Sequence, residues 1–257
     1  MYLDTTKIGE TSYNNNGSKM TIIKYIDSKD VVIKFENGFI TRNTYSNFKL
    51  GNIKFPYYRS VYNVGYMGEG KYKSTLNGLH TKKYDVWLNM IHRCYNKDKK
   101  ERYKPYEGCS VCDEWHNFQT FAKWYDENYY KVDKERMELD KDILIKGNKV
   151  YSPKTCIIVP QYINSLFTKR EAQRGEYPIG VSAYNGNKIK KCAVSCNDEN
   201  NKIIFLGYYE LDCVKEAFNT YKIFKENVIK IIAKRYKNSI PQEIYNAMIN
   251  YKVEITD

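Results

Sequence analysis

The stretch from Leu139 to Asn164 contains the residue types in this chain that are best suited to chemistry. It reads as a hairpin followed by a helix, with the carboxylate of Asp140 near its start and the carboxamide of Asn164 at its end. A hard divalent cation such as Mg²⁺ prefers oxygen ligands, and a carboxylate with a carboxamide leaves coordination positions open for water and a phosphate. The stretch therefore predicts a site for one divalent cation, with Asp140 and Asn164 as ligands.

Short strands precede this stretch in the N-terminal part of the chain. Asn37-Gly38 lies between runs of β-branched and aromatic residues, and both turn residues readily take positive φ, so the pair predicts a tight hairpin. Residues 61–79 are rich in glycine and poor in aliphatic side chains, which is typical of a linker. We expect a small β module over residues 1–60 and a glycine-rich linker over residues 61–79.

Two amphipathic helices are predicted in the next segment. Apolar residues recur at three- and four-residue steps between Lys82 and Asn96, and the same spacing returns between Trp115 and Tyr125. Together with the hairpin and helix that carry Asp140 and Asn164, these helices predict a central domain over residues 80–175.

The last segment reads as strands followed by a long helix. Three strand-like runs, Gly180 to Tyr184, Lys188 to Ser195 and Ile203 to Tyr208, are separated by Asn-rich turns. A long apolar stripe at helical spacing follows, and Pro241 then starts a closing helix. We therefore expect a three-stranded sheet packed on a long helix over residues 176–257, and an α+β fold for the chain as a whole.

Two parts of the chain resemble known families. In the first part, between Tyr84 and Lys169, the positions that carry the resemblance are Trp87, Met90, Arg93-Cys94-Tyr95, Val111, Glu114-Trp115, Phe118, Phe121, Leu139-Asp140-Lys141-Asp142, Tyr151-Ser152-Pro153, Cys156 and Asn164. This set resembles the homing-type His-Asn-His (HNH) endonuclease-like proteins of bacteriophages. Between residues 178 and 236, Gly180-Val181, Leu206-Gly207 and Glu216-Ala217-Phe218 resemble the apetala-two-like DNA-binding domain found beside such nucleases.

The first resemblance implies a ββα-metal fold and metal-dependent hydrolysis of DNA phosphodiester bonds. It implies that Asp140 and Asn164 bind Mg²⁺ or another divalent cation. The family usually has a His after that Asp to activate the attacking water, whereas this chain has Lys141, whose amine stays protonated at an ordinary pKa. Thr155 stands where the family often has its middle Asn.

These departures leave two functional interpretations open. In the first, the protein is an active endonuclease in which Lys141 or a nearby group takes the place of the usual base. In the second, a catalytically inactive nuclease scaffold binds nucleic acid or inhibits a host nucleoprotein defence complex. A transcriptional regulator is disfavoured because no helix-turn-helix spacing is evident in the sequence.

Charge indicates an acidic polymer as partner, and double-stranded DNA is the partner we expect. The chain has 42 Lys and Arg against 30 Asp and Glu, a net charge of +12, and cationic side chains gain free energy by displacing counterions from phosphates. Its 26 tyrosines add rings that can stack on bases. The alternative is a merely solvated charged surface. The candidate nucleic-acid contacts are Arg93, Lys169, Arg170, Tyr184, Lys188, Lys190, Lys191 and Lys202.

Lysine dominates the candidate contacts in the last segment, whereas arginine is scarce there. Lysine attracts phosphate without identifying bases, while specific readout usually employs Arg or Asn. We therefore expect backbone-dominated DNA binding of modest specificity through the C-terminal sheet.

The number of cysteines and the lack of long apolar runs indicate the cellular compartment in which we expect the protein. Seven cysteines is an odd number, and the chain opens with polar residues and not with a signal peptide. We expect a reduced, soluble protein in the cytoplasm of an infected bacterial host, with no membrane partner. Cys109-Ser110-Val111-Cys112 has the spacing of a zinc ligand pair, but Cys94 and Cys156 are isolated, so buried free thiols are favoured over a structural zinc.

Overall fold

The computed structural model is a mixed α/β structure that describes residues 5–96, 105–168, 176–186 and 189–257. It contains two compact units. The N-terminal unit comprises Met1–Glu107 and Val111–Tyr125, and the C-terminal unit comprises Gly108–Ser110 and Asp126–Asp257.

The N-terminal unit begins with a four-stranded antiparallel sheet in sequence order. Its strands are β1 (Thr11–Tyr13), β2 (Lys19–Asp27), β3 (Asp30–Phe35) and β4 (Ile40–Asn43). The predicted hairpin at Asn37-Gly38 is confirmed: Gly38 has a φ of 94°, and Asn37 Oδ1 accepts the N–H of Phe39. Helix α1 (Tyr45–Leu50) follows, and Thr44 caps it by accepting the N–H of Asn47. One face of this sheet packs on α1 through Met20, Ile22, Val31, Ile33, Phe35, Phe48 and Ile53.

The glycine-rich segment expected to be a linker is instead packed within the N-terminal unit. Its only strands in the described residues are β5 (Thr75–Leu76) and β6 (Leu79–His80), which form a short hairpin. Gln119 fixes the segment, since its Nε2 donates to the carbonyls of Met67 and Tyr72 and its Oε1 accepts the N–H of Tyr72. Gly68, at a φ of 67°, lies so close to Asn117 that a Cβ would overlap that side chain. Glycine is used here for positive φ and close approach, which local composition does not distinguish from flexibility.

The two amphipathic helices predicted after this segment are confirmed. Helix α2 spans Lys82–Tyr95, and helix α3 spans Phe118–Asn128 after a 3-10 turn at Asp113–His116. Trp87 Nε1 donates to the carbonyl of Trp115 at 2.7 Å, which satisfies the indole N–H in the interior. The buried side chains around this bond are Met90, Ile91, Phe118, Phe121 and Ala122.

The C-terminal unit opens with a hairpin and a short helix. Strands β8 (Met137–Asp140) and β10 (Ile157–Pro160) pair antiparallel, and helix α4 (Gln161–Leu166) follows β10 directly. Two shorter strands, β7 (Ser110–Val111) and β9 (Val150–Tyr151), lie before and within this region, and the Ser110 N–H donates to the Lys149 carbonyl at 2.9 Å.

A three-stranded antiparallel sheet and two helices complete the C-terminal unit. The strands, in the order of the sheet, are β11 (Val181–Gly186), β12 (Ile189–Asn197) and β13 (Ile203–Tyr209). Helix α5 (Val214–Tyr236) packs on one face of this sheet, and α6 (Gln242–Asn250) begins after Pro241. The expected sheet packed on a long helix is therefore present.

Helix α5 contributes to two hydrophobic clusters of the C-terminal unit. Its first half supplies Ala217, Phe218 and Tyr221 to the cluster under the three-stranded sheet. Its second half supplies Val228, Ile229, Ile232 and Ala233 to a cluster with Ile143, Ile157, Val159 and Ile163 from the hairpin and α4. Phe224 packs against both clusters.

The two compact units divide the chain differently from the expected domains. The hairpin and α4 pack on the same helix as the sheet, so both sides of the expected boundary between residues 175 and 176 lie in one compact unit. On either side of residue 80, the chain belongs to the N-terminal unit, together with α2 and most of α3. Across the described ranges, no helix, the 23-residue α5 included, combines the length and apolar composition needed to cross a membrane.

Candidate metal site and nucleic-acid interface

Asp140, the last residue of β8, has its carboxylate fixed by the backbone that follows it. Its Oδ1 accepts the N–H groups of Asp142 and Ile143, both at 2.7 Å, in a tight local turn. Burial raises the pKa of the Asp140 carboxyl, and the two N–H groups and the charge of Lys141 oppose that rise. Among the described residues, none donates a hydrogen bond to Asp140 Oδ2, so this oxygen remains available to a ligand.

Asn164 lies on α4 and is oriented by Glu138. Its Nδ2 donates to Glu138 Oε2 at 2.8 Å, and Arg136 Nε lies 3.5 Å from Glu138 Oε1. Glu138 is two positions before Asp140 on β8, so both side chains leave the same face of the strand. Helix α4 contacts β8, which brings Asn164 to that face. Glu138 was not predicted from the sequence, although the two-residue spacing of carboxylates was a signal for it.

The donors on this face suit the cation that the resemblance implies. Asp140 and Asn164 each offer an oxygen that accepts no hydrogen bond from the described residues. Mg²⁺ commonly binds through one or two protein oxygens and keeps several waters. Asp140 and Asn164 are therefore the residues that would hold the ion.

Lys141, the candidate replacement for the usual base, is held by its own loop. Its side chain is 8% exposed, and its Nζ donates to Asp142 Oδ1 at 2.6 Å and to the Asn148 carbonyl at 2.9 Å. Asn148 Nδ2 donates back to the Lys141 carbonyl at 2.9 Å. These contacts close the loop over residues 141–148. A base role would require the Lys141 amine both to lose a proton and to leave these partners.

Thr155, at the position of the family's middle Asn, also forms hydrogen bonds within its own loop. Its hydroxyl donates to the Val150 carbonyl at 2.8 Å and lies 2.9 Å from the Ser152 hydroxyl. By its sequence the C-terminal unit contains no histidine. The carboxylate of Glu138, in contact with Asn164, is therefore the better candidate within this unit for accepting a proton.

Three exposed aromatic rings cluster on the outer face of the three-stranded sheet. Tyr184, Phe205 and Tyr208, which we call the aromatic patch, are 41%, 55% and 51% exposed. The ring of Tyr208 lies 4.6 Å from that of Tyr184 and 4.8 Å from that of Phe205, between centroids. The opposite face of the sheet buries Val181, Cys192, Val194 and Cys196 beneath α5. Aromatic side chains usually bury most of their large surface, so such a cluster indicates a binding surface.

An irregularity in the sheet explains why Phe205 and Tyr208 were not predicted as site residues. They are three positions apart, so a regular strand would place them on opposite faces. The register shifts between Val194 and Ser195: Val194 pairs with Gly207, whereas Ser195 pairs with Phe205. The extra residue on β13 turns both rings to the outer face.

The predicted nucleic-acid contacts are placed unevenly. Tyr184 belongs to the aromatic patch, and Lys202 is exposed at the start of β13. Lys191, opposite Tyr184 in the sheet, has its Nζ 2.8 Å from Glu210 Oε1. Arg93 lies on α2 in the N-terminal unit, with its guanidinium over the Tyr106 ring at 5.1 Å. Lys169, Arg170, Lys188 and the side chain of Lys190 lie outside the described residues.

The seven cysteines all lie within the described ranges and all are reduced. Cys109, Cys156, Cys192 and Cys196 are buried. Burial raises the pKa of the Cys109 and Cys112 thiols, which keeps them protonated at neutral pH. The buried members act as small apolar side chains of the interior.

The C-terminal unit thus carries two surfaces of chemical interest, the face with Asp140 and Asn164 and the aromatic patch. Comparison of the chain with protein-family models, with curated proteins and with solved structures found no match.

Proposed function

We propose that this protein binds DNA and hydrolyses its phosphodiester bonds at Asp140 and Asn164 with a divalent cation. The observation that carries the proposal is the fixed carboxylate of Asp140. One of its oxygens is held by two backbone N–H groups, and the other accepts no hydrogen bond from the described residues. We further propose that the protein acts in the cytoplasm of an infected bacterium, as its resemblance to bacteriophage proteins implies.

In this mechanism each side chain has one task. Asp140 and Asn164 hold the cation, and the contact with Glu138 keeps the Asn164 nitrogen away from it. The cation would polarise a phosphate oxygen and make a bound water more acidic. Glu138 takes the proton of the attacking water, a role that a carboxylate can fill when it lies within hydrogen-bond reach. Lys141 keeps the loop closed and lowers the pKa of Asp140.

DNA is the polymer that the charge and surface of the chain favour. A net charge of +12 provides the long-range attraction to phosphate. Lys191 lies opposite Tyr184 on the face of the aromatic patch, which offers rings to bases. Supported by these features, the outer face of the three-stranded sheet is the proposed contact with DNA.

The second candidate function is nucleic-acid binding without cleavage, or inhibition of a host nucleoprotein complex. The contacts of Lys141 favour it, because the residue at the usual base position is committed to Asp142 and the Asn148 carbonyl. An inactive scaffold would keep the DNA-binding surface and would not need Glu138 as a proton acceptor.

Supercoiled plasmid is the substrate for the test. The purified chain would be incubated with it in Mg²⁺, Mn²⁺ or EDTA, and gel shifts at two salt concentrations would report binding. The matched variants are Asp140→Asn, which removes a ligand charge, and Asp133→Asn, which removes the same charge from an exposed site in the same unit. Both should bind DNA like the wild type, since neither position belongs to the sheet.

Metal-dependent nicking that survives Asp133→Asn and disappears in Asp140→Asn is the expected result. A rise in Tm with Mg²⁺ that is lost only in Asp140→Asn should accompany it, and it reports the ion independently of activity. Salt-sensitive binding with neither nicking nor a Mg²⁺-dependent rise in Tm would replace hydrolysis with the second function. Absence of DNA binding would remove hydrolysis and nucleic-acid binding, and would leave inhibition of a host nucleoprotein complex.

A further inference from the structure

The hydrolysis site does not explain the aromatic patch. Tyr184 comes from β11, and Phe205 and Tyr208 come from β13, so their rings flank the central strand β12. Ile203, further along β13, is 71% exposed and extends the apolar surface. A protein exposes such a contiguous aromatic surface when something binds there, because burying the rings elsewhere would stabilise the fold.

The rings meet above the central strand, since the centroid of Tyr208 lies 4.6 Å from that of Tyr184 across β12. Ala193 lies opposite Tyr208, and Ser195 lies opposite Phe205. On the neighbouring strand, Ser182 lies opposite Ala193. Directly opposed residues of an antiparallel pair project from the same face, so small side chains lie beneath the larger rings. A flat molecule can therefore stack on the exposed faces of the rings.

The rings are oriented so that each can stack with a different base. Tyr184 and Tyr208 are tilted by 48° to each other, and Phe205 and Tyr208 by 57°. Because the rings are not coplanar, each presents its own face. Successive bases of a flexible strand can therefore meet different rings, as on the stacking surfaces of single-strand-binding proteins.

Paired DNA does not offer what these rings would bind. In a duplex the faces of the bases are already stacked, and only base edges are exposed in the grooves. Reading those edges requires forked donors and acceptors. The outer face of β12 presents Lys191, Ala193, Ser195 and Asn197, and the Asn197 carboxamide already donates to Asn201 Oδ1. Unpaired bases expose their faces and stack on aromatic side chains.

Charge favours a nucleic-acid strand over an apolar protein segment. The chain carries a net charge of +12, and Lys202 is exposed in the turn before β13. Lys191 adds a cation beside Tyr184 and is partly neutralised by Glu210. A phosphate backbone can meet these cations while its bases lie on the rings.

We propose that the aromatic patch binds unpaired bases of single-stranded DNA by stacking, an inference that rests on the proposed function of binding DNA. The protein then engages DNA where the duplex is open, at a single-stranded gap, a junction or a melted segment. Lys191 contributes phosphate contact, and the three rings contribute the preference for single strands.

Fluorescence anisotropy would test this preference with a labelled oligothymidine and a duplex of the same length. Phe205→Leu and Tyr208→Leu keep an apolar side chain and remove a stacking face, whereas Tyr208→Phe keeps the face. The matched control is Ile223→Ala, which trims a 63% exposed apolar side chain on α5. Each leucine variant should lose about tenfold in single-strand affinity, while Tyr208→Phe and Ile223→Ala should bind like the wild type.

The two DNA forms separate the inference from the proposed function. Tighter binding of the single strand, lost in the leucine variants while duplex binding persists, supports stacking. Equal affinity of wild type and leucine variants for oligothymidine overturns the inference and leaves DNA binding intact. Loss of single-strand binding in Phe205→Ala but not in Phe205→Leu also overturns it, because apolar contact would then suffice. Failure to bind either form at low salt removes the proposed function itself.

Discussion

Asn164 Nδ2 donates a hydrogen bond to Glu138 Oε2 at 2.8 Å. A carboxylate only accepts hydrogen bonds, so the nitrogen and not the oxygen of this carboxamide must face Glu138. The contact therefore fixes which atom of Asn164 is left for a cation. It also joins a candidate ligand to a candidate proton acceptor, so that a change at Glu138 affects both.

Asp140→Asn should raise the free energy of unfolding at pH 7 in EDTA by about 1 kcal/mol, since the asparagine oxygen can still accept the two N–H groups without a buried charge. Because the pKa of Asp140 is raised in the folded state, its stabilising contribution is complete below the unfolded pKa, near 3.9, and declines as pH rises through the folded pKa. Urea unfolding at pH 4 and pH 7 measures the difference.

The advantage of Asp140→Asn should therefore shrink as the pH falls toward 4. Asp133→Asn provides the comparison, since it removes an exposed carboxylate from the same unit and leaves Asp140 unchanged. A gain that is equal at both pH values would contradict a buried, strained charge at Asp140.

Glu138→Gln should lower the rate of plasmid nicking by about a hundredfold, a typical loss when a general base is removed. The glutamine oxygen can still accept the Asn164 hydrogen bond, so the Mg²⁺-dependent rise in Tm should persist. Nicking rates between pH 5 and pH 9 and the Tm with and without Mg²⁺ would be measured together.

Loss of both nicking and the Mg²⁺ response would make Glu138 a positioning residue for Asn164. The control for the charge change is Glu243→Gln, on an exposed side chain of α6. Nicking at the wild-type rate in Glu138→Gln would contradict a proton-accepting role.

Lys141→Met should lower the free energy of unfolding by about 1 to 3 kcal/mol, because the buried amine donates to Asp142 and to the Asn148 carbonyl. Methionine keeps most of the apolar stem, so the loss reports the polar contacts. Urea unfolding and hydrogen exchange over residues 141–148 are the measurements. Nicking should persist at a reduced rate. Complete loss of nicking with unchanged stability would instead indicate that the Lys141 amine acts as the base.

Lys225→Met should raise the free energy of unfolding at pH 7 by about 1 kcal/mol, since burying an uncompensated polar group is costly. Lys225 lines a cavity of about 310 Å³ with Ser165, Cys196 and Tyr221, and it makes no hydrogen bond or ion pair with any described residue. Burial lowers the pKa of its amine. Urea unfolding of both proteins at pH 7 and pH 10 tests the effect.

The gain from Lys225→Met should diminish as the pH rises. The folded pKa of Lys225 is below the unfolded value near 10.4, so the cost of the charge is complete below the folded pKa and disappears toward the unfolded one. A loss of stability in the variant at pH 7 would mean that the cation is satisfied in the folded protein.

Local signals in the sequence predicted much of the secondary structure. The Asn37-Gly38 turn, helices α2 and α3, the three C-terminal strands and the start of α6 after Pro241 all follow from turn chemistry and periodicity. The packing of residues 61–79 and the double role of α5 did not follow. Periodicity shows that a face is apolar, but it does not identify the element that covers it.

For the candidate site, the sequence indicated individual residues but not the contacts that depend on tertiary register. Residue types and their order selected Asp140, Asn164 and Tyr184 as candidates, and their roles stay predictions. The contacts of Lys141 depend on Asn148 returning across a loop, and the outward direction of Phe205 depends on one extra residue in β13. Each is a consequence of tertiary register, which a single-residue slip would change.

Because α5 runs continuously beneath both clusters, it fixes the distance between the sheet and the site at Asp140. Tyr221 packs under the sheet and Ile232 packs under the hairpin and α4, about 16 Å further along the axis of α5 at 1.5 Å per residue. If bases bind to the sheet and a phosphodiester bond is cut beside Asp140, helix α5 sets the distance between the bound bases and the cut bond. The number of nucleotides between anchor and cut is then a constant of the protein, whatever the sequence of the DNA.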